Sequence, residues 1–194
     1  MRQNIQVPFG YEPPAPSRKG TVIFYDSFMR IADEDLEFAA AEAARRAFAK
    51  LVLYPLHELT VKRMSNEQAG PFYQREDRLH AWKRERGAAD VEVLVEGWEG
   101  KRKKYTPADT ALRYLTEKYP APYFLYMTPD MANRFAGFSS FEEWIVKLRL
   151  LLSDNLAVPH PKLEKYRHRW DVAGQTEAVP ERPAGHNGIG GGRG

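Results

Sequence analysis

Polar side chains set directly behind apolar runs are where this sequence places its candidate chemistry. Asp26 and Ser27 follow Thr21-Val-Ile-Phe-Tyr25; His57, Lys62 and Arg63 follow Leu51-Val-Leu-Tyr54; Thr128 and Asp130 follow the run from Tyr123 to Met127. A carboxylate in the position of Asp26 can orient a ligand hydroxyl or hold a cation, and it can equally cap the next turn through a backbone amide. A neutral imidazole such as His57 can do acid–base work or donate to a phosphate, while a satisfied structural histidine is the plainer alternative. Lys62 and Arg63 carry the charge to neutralise a polyanion, or simply form a solvated basic pair. Thr128 and the amides behind it can meet a phosphate, although Asp130 in the same turn repels one unless it faces a ribose or a cation.

A second group is basic and aromatic. Lys101, Arg102, Lys103 and Lys104 lie between Trp98 and Tyr105, and the stretch from Lys162 to Trp170 has similar character. Cations interleaved with flat rings are what single-stranded nucleic acid requires. The alternative function is therefore a noncatalytic module that binds nucleic acid or another protein through these segments. No motif names a catalytic residue: a glycine-rich dinucleotide fingerprint, a phosphate loop, His-Glu-x-x-His and a serine elbow are all missing. The chain has no cysteine, which removes disulfides, thiolate metal clusters and a thiol nucleophile.

The elements that must position these residues alternate. The run Thr21 to Tyr25 reads as a buried strand. Asp33 to Ala49 reads as a helix with acids at its start, arginines at its end, and alanines at helical spacing that let it approach a sheet closely. A strand at Leu51 to Tyr54 is stopped by Pro55, and a helix from Pro71 to Arg86 turns Phe72, Leu79 and Trp82 inward. Val91, Val93 and Val95 alternate with glutamates, as an edge strand does; Gly97 and Gly100 open a loop. Thr106-Pro107-Ala108-Asp109 reads as a capped helix start, with Leu112, Leu115 and Tyr119 on its inner stripe. Tyr123 to Met127 is a fourth strand, running straight into a helix at Thr128-Pro129-Asp130. Ser139 and Ser140 each precede a glutamate by three residues, so one amphipathic helix is expected across Phe141, Trp144, Ile145, Leu148, Leu151 and Leu152.

Strands alternating with crossover helices predict a Rossmann-like three-layer α/β domain with a mainly parallel sheet of four or more strands. Its limits are read as 21–158, between an extended proline-containing arm (1–20) and a basic aromatic segment (159–173), with a flexible glycine-rich tail (174–194) last. The 194 residues suffice for one core, and 29 basic against 26 acidic residues leave only a small excess of charge. No apolar run approaches bilayer length and no secretory signal opens the chain, so a cytoplasmic protein without a membrane partner is expected. In a parallel sheet, ligands meet the carboxyl ends of the strands. That rule selects Asp26, Ser27, His57, Lys62, Arg63, Thr128 and Asp130 together.

Some of these segments have a further likeness. Phe24-Tyr-Asp-Ser-Phe28, Leu51 to Pro55, Arg78-Leu-His-Ala-Trp82, and Phe124 to Asp130 followed by Phe138 and Trp144 occur in an order that resembles the nucleotidyltransferase superfamily. The resemblance, spanning Val22 to Leu152, is to the nicotinamide or nicotinate mononucleotide adenylyltransferases and their cytidylyltransferase relatives. It implies a nucleotide or phosphorylated small molecule as ligand, with Mg2+ accompanying a nucleotide. The family's His-x-x-His-type motif has no counterpart, because Met29 to Leu36 is acidic and lacks histidine, and Ser153-Asp-Asn155 replaces its Ser/Thr-rich phosphate segment. The resemblance therefore implies binding without the conventional catalytic machinery.

Overall fold

The computed structural model describes residues 10, 17–87 and 90–175. Most of the N-terminal arm and nearly all of the glycine-rich tail lie outside them. Six strands, β1 (Thr21–Asp26), β2 (Lys50–Pro55), β3 (Glu92–Val95), β4 (Tyr123–Met127), β5 (Arg149–Leu152) and β6 (Trp170–Val172), form one sheet in the order β3-β2-β1-β4-β5-β6. All five pairings are parallel. The central strands are buried on both faces, which is why they read as near-continuous apolar runs.

The helices are α1 (Asp33–Arg45), α2 (Glu58–Ser65), α3 (Phe72–Arg86), α4 (Trp98–Arg102), α5 (Ala108–Lys118), α6 (Pro129–Ala136), α7 (Phe141–Ile145) and α8 (Pro161–Lys165). On one face Leu36, Ala39, Ala40 and Ala43 of α1 and Leu79 and Trp82 of α3 pack on Val22, Phe24, Leu51 and Leu53. On the other face α5, α6 and α7 bury Leu112, Leu115, Phe135, Phe141 and Trp144 against Ile23, Val52, Leu125 and Leu150. The result is a Rossmann-like three-layer α/β fold. The chain winds outward from β1 through β2 to β3, then crosses back to β4 on the other side, so the direction of winding reverses between β1 and β4. Among the described residues no helix is long and apolar enough to cross a membrane.

Several local expectations are corrected. The first helix ends at Arg45, because Ala47 takes a left-handed backbone (φ 59°) that turns the chain toward β2. Glu58–Ser65 is an unanticipated helix, capped by the His57 ring, whose Nδ1 accepts from the Leu59 amide at 3.2 Å. The loop expected after Gly97 is the short helix α4, and Gly100 sits so close to Phe72 that a Cβ there would lie 2.3 Å from the ring. Thr106 does not cap α5; the cap residue is Pro107, and the Thr106 amide donates to Thr60 Oγ1 at 3.0 Å.

The largest correction concerns residues 141–152. The helix stops at Ile145, and Arg149–Leu152 is strand β5, inserted beside β4. Neither face of β5 meets water, so Leu150, Leu151 and Leu152 are apolar without alternation and mimic helical spacing. Ser140 is the α7 cap residue but its hydroxyl makes no cap hydrogen bond. The basic aromatic segment then contributes α8 and β6, which covers the edge of β5. Trp170 is buried there, its Nε1 donates to the Leu163 carbonyl at 2.8 Å, and Arg167 lies 3.9 Å from its ring centroid. Trp170→Ala is expected to cost about 3–5 kcal/mol through cavity formation and a lost anchor; urea unfolding should show the midpoint falling accordingly.

Candidate ligand-binding crevice

Where the winding reverses, α1 and α6 leave the sheet toward opposite faces and open a crevice at the carboxyl ends of β1 and β4. Its volume is about 240 Å³. β1 and the loop behind it supply Asp26, Ser27, Met29, Arg30 and Ile31; the end of β2 supplies Leu56. Helix α2 lends Val61, Met64 and Ser65, and Thr128, Asp130, Met131 and Arg134 come from α6 and its cap. A larger, more open hollow of about 530 Å³ lies beyond Met64, between the starts of α5 and α7. Its two carboxylates are already engaged, Asp109 by Trp144 Nε1 at 2.8 Å and Arg113 at 3.1 Å, and Glu143 by Lys147 at 3.3 Å.

Asp26 lies at the crevice floor, 7% exposed. Its Oδ1 accepts from the Phe28 amide at 2.8 Å and from Ser27 Oγ at 3.4 Å, closing a tight turn in which Phe28 adopts a left-handed backbone (φ 61°). Burial pushes its carboxyl up to about 6, against the opposing pull of these hydrogen bonds and of Arg75. A carboxylate held in this way accepts a ligand N–H or O–H at neutral pH, and releases that role as it protonates.

Arg75 of α3 fixes the walls. Its Nε donates to the Gly70 carbonyl at 2.9 Å, its Nη1 to the carbonyls of Ser27 at 2.7 Å and Leu56 at 2.6 Å, and its Nη2 to Glu58 at 3.0 Å. One planar fork thus joins the segments behind β1 and β2 to the start of α3. Burial pulls its ionisation below the usual guanidinium range, with Glu58 opposing. Arg78, one turn on, donates to the carbonyls of Phe28 and Ile31 and to Asp33.

The predicted residues divide. Asp26, Ser27, Thr128 and Asp130 line the crevice together. Thr128 also caps α6, accepting from the Met131 amide at 3.3 Å. His57 faces elsewhere: its amide donates to Glu99 at 3.0 Å and its ring stacks toward Phe72. Lys62 and Arg63 point to solvent, Arg63 over the Tyr105 ring. The cations at the mouth are instead Arg30 and Arg134, which sequence reasoning passed over. Arg134 was legible, since it lies one helical turn beyond Asp130 in a helix already read from the sequence. Arg30 sits in an irregular loop and carries no periodic signal.

In the basic segment, Trp98 stacks on Tyr114 at 3.9 Å and nearly parallel, and Arg102 lies 4.8 Å from the Trp98 ring centroid. Lys101, Lys103 and Lys104 are exposed, so that surface presents charge without a free indole face. Among the described residues no three His, Cys, Asp or Glu side chains are grouped to hold a metal ion. No model of a known protein family matches the chain, and no curated protein matches it.

Arg75→Lys is expected to lose about 3 kcal/mol of stability, because an ammonium cannot serve the carbonyls of Gly70, Ser27 and Leu56 in one plane; chemical denaturation reads this directly. Asp26→Asn gives the opposite sign. A carboxyl raised on folding binds more protons native than unfolded, so its penalty is absent below about pH 4, grows between about pH 4 and 6, and is full above that window. The asparagine variant should therefore be more stable at pH 8, by up to about 3 kcal/mol, with the gain vanishing near pH 4.

Proposed function

We propose that this chain binds a nucleotide or another phosphorylated small molecule in the β1–β4 crevice, as a divergent nucleotidyltransferase-like domain without the conventional catalysis. The observation that carries the reading is the crevice itself. A buried carboxylate lies at its floor and two guanidinium groups at its mouth, at the point of the sheet where winding reverses. A guanidinium offers a planar set of donors suited to phosphate oxygens.

The same geometry argues against a dinucleotide held in the usual way. That mode needs a glycine-rich turn and a helix start free to meet a pyrophosphate. Here α1 opens with Asp33, Glu34 and Asp35, and the Asp35 carboxylate is folded back on the Ala32 amide at 2.8 Å. It also speaks for binding over transfer, because no histidine stands in the loop from Met29 to Leu36 where the resembling family places its phosphate-stabilising motif.

Titration calorimetry against ATP, CTP and nucleoside monophosphates, with and without Mg2+, tests the reading. Binding of at least one is expected. Arg134→Ala should weaken it about tenfold or more, the loss of one charge-assisted hydrogen bond, while Lys62→Ala leaves it unchanged. Absence of heat together with absence of thermal protection for every compound would end the proposal.

A further inference from the structure

The crevice carries more information than its position. Three of the chain's five methionines, Met29, Met64 and Met131, line it, with Ile31, Leu56 and Val61 filling the spaces between. Thioethers are soft, polarisable and conformationally adaptable, and they make favourable contacts with aromatic rings. Such a lining suits a flat unsaturated body. The polar groups are sorted by depth: Asp26 is buried, whereas Arg30 and Arg134 are exposed. A ligand placed to satisfy both has a hydrogen-bond donor at its inner end and an anionic group at its outer end.

The charge of that group is limited. Asp26, Asp130 and Glu67 also line the crevice, so three carboxylates face two guanidinium groups. Among the described residues Arg30 is held only by Glu67 at 3.4 Å, in a water-exposed pair that is easily exchanged for a ligand phosphate. Arg134 spends one Nη on the Met64 carbonyl at 3.1 Å. Neither neighbouring helix start can accept additional negative charge, because α1 begins with three acids and α6 with Asp130. A triphosphate would bring more charge than this mouth neutralises, and a volume of about 240 Å³ is small for a large ligand.

We infer that the crevice selects a nucleoside monophosphate, its base held among Met29, Met64 and Met131 and its single phosphate between Arg30 and Arg134. This rests on the nucleotide-binding reading above and narrows it. Asp26 accepts from an amino or hydroxyl group of the nucleoside. The base supplies the flat body that thioethers favour, and a single phosphate adds less charge to a lining of three carboxylates and two guanidinium groups than a triphosphate would.

The test uses the full chain carrying methionine labelled with ¹³C at the methyl, titrated with AMP, CMP, ATP, CTP and ribose 5-phosphate, with signals assigned from single Met→Leu variants. An aromatic base moves nearby methyl resonances through its ring current, whereas a sugar phosphate has no ring to do so. AMP or CMP should shift Met29, Met64 and Met131, leave the fully buried Met127 in place, and bind about tenfold tighter than the matching triphosphate. Ribose 5-phosphate should leave all of these methyls unmoved. Tighter binding of the triphosphate, or equal shifts from ribose 5-phosphate, would overturn the inference while nucleotide or phosphate binding stood. Silence from all five compounds would overturn both.

Discussion

The buried guanidinium of Arg75 is the constraint on which the crevice depends. The segments behind β1 and β2 leave the sheet with carbonyls that no strand partner serves, and those of Ser27 and Leu56 both turn toward one Nη1 atom. Without that cation the two loops would present unpaired acceptors in a region closed to water, a cost of about 1–3 kcal/mol each. A buried charge is itself expensive, and the fold meets the expense by surrounding it with oxygen: three carbonyls and the Glu58 carboxylate. The positioning of Asp26 follows from the same clamp, since the turn it closes with the Phe28 amide contains the Ser27 carbonyl that Arg75 holds.

Arg75 and Asp26 contribute to stability with opposite signs. Arg75 stabilises the walls, its Nε, Nη1 and Nη2 donating to protein oxygens. Asp26 does the reverse. Its burial costs free energy that a neutral amide of the same shape would not, as the upward displacement of its carboxyl records. Stabilising substitutions concentrate at positions of this kind because a binding site needs groups whose hydrogen-bonding capacity the folded protein leaves partly unused. The Ser27 hydroxyl and the Phe28 amide both donate to Oδ1 of Asp26.

How much of this was legible in the sequence depended on locality. Strand β4 and the start of α6 follow from short-range signals, an apolar run ended by Thr-Pro-Asp, and both were read correctly. So was the alternation that makes the sheet parallel. Strand β5 was not, because Leu150 to Leu152 continue the spacing of Phe141, Trp144 and Ile145, and the switch from helix to strand is enforced by pairing with β4 rather than by local preference. Helix α2 was missed because its cap is a histidine ring and its first turn contains Leu59, Thr60 and Val61, which also suit a strand. Since α2 carries one wall of the crevice, its omission left Lys62 and Arg63 as the apparent cations and hid Met64.

The wall formed by α2 is held from two directions. At its amino end, buried Glu99 of α4 accepts from the His57 amide at 3.0 Å and from Thr60 Oγ1 at 2.6 Å, while Thr60 in turn receives the Thr106 amide. At its carboxyl end, Arg134 reaches across from α6 to the Met64 carbonyl. The first anchorage is interior and dry, with burial holding the Glu99 carboxyl above its usual range; at the second, the exposed Arg134 bond is joined by the Tyr25 hydroxyl on Met64 Sδ at 3.8 Å and by packing of Met64 on the core. Arg134 is thus both a cation lining the crevice and a tie between α6 and α2, so the two walls are joined across the opening.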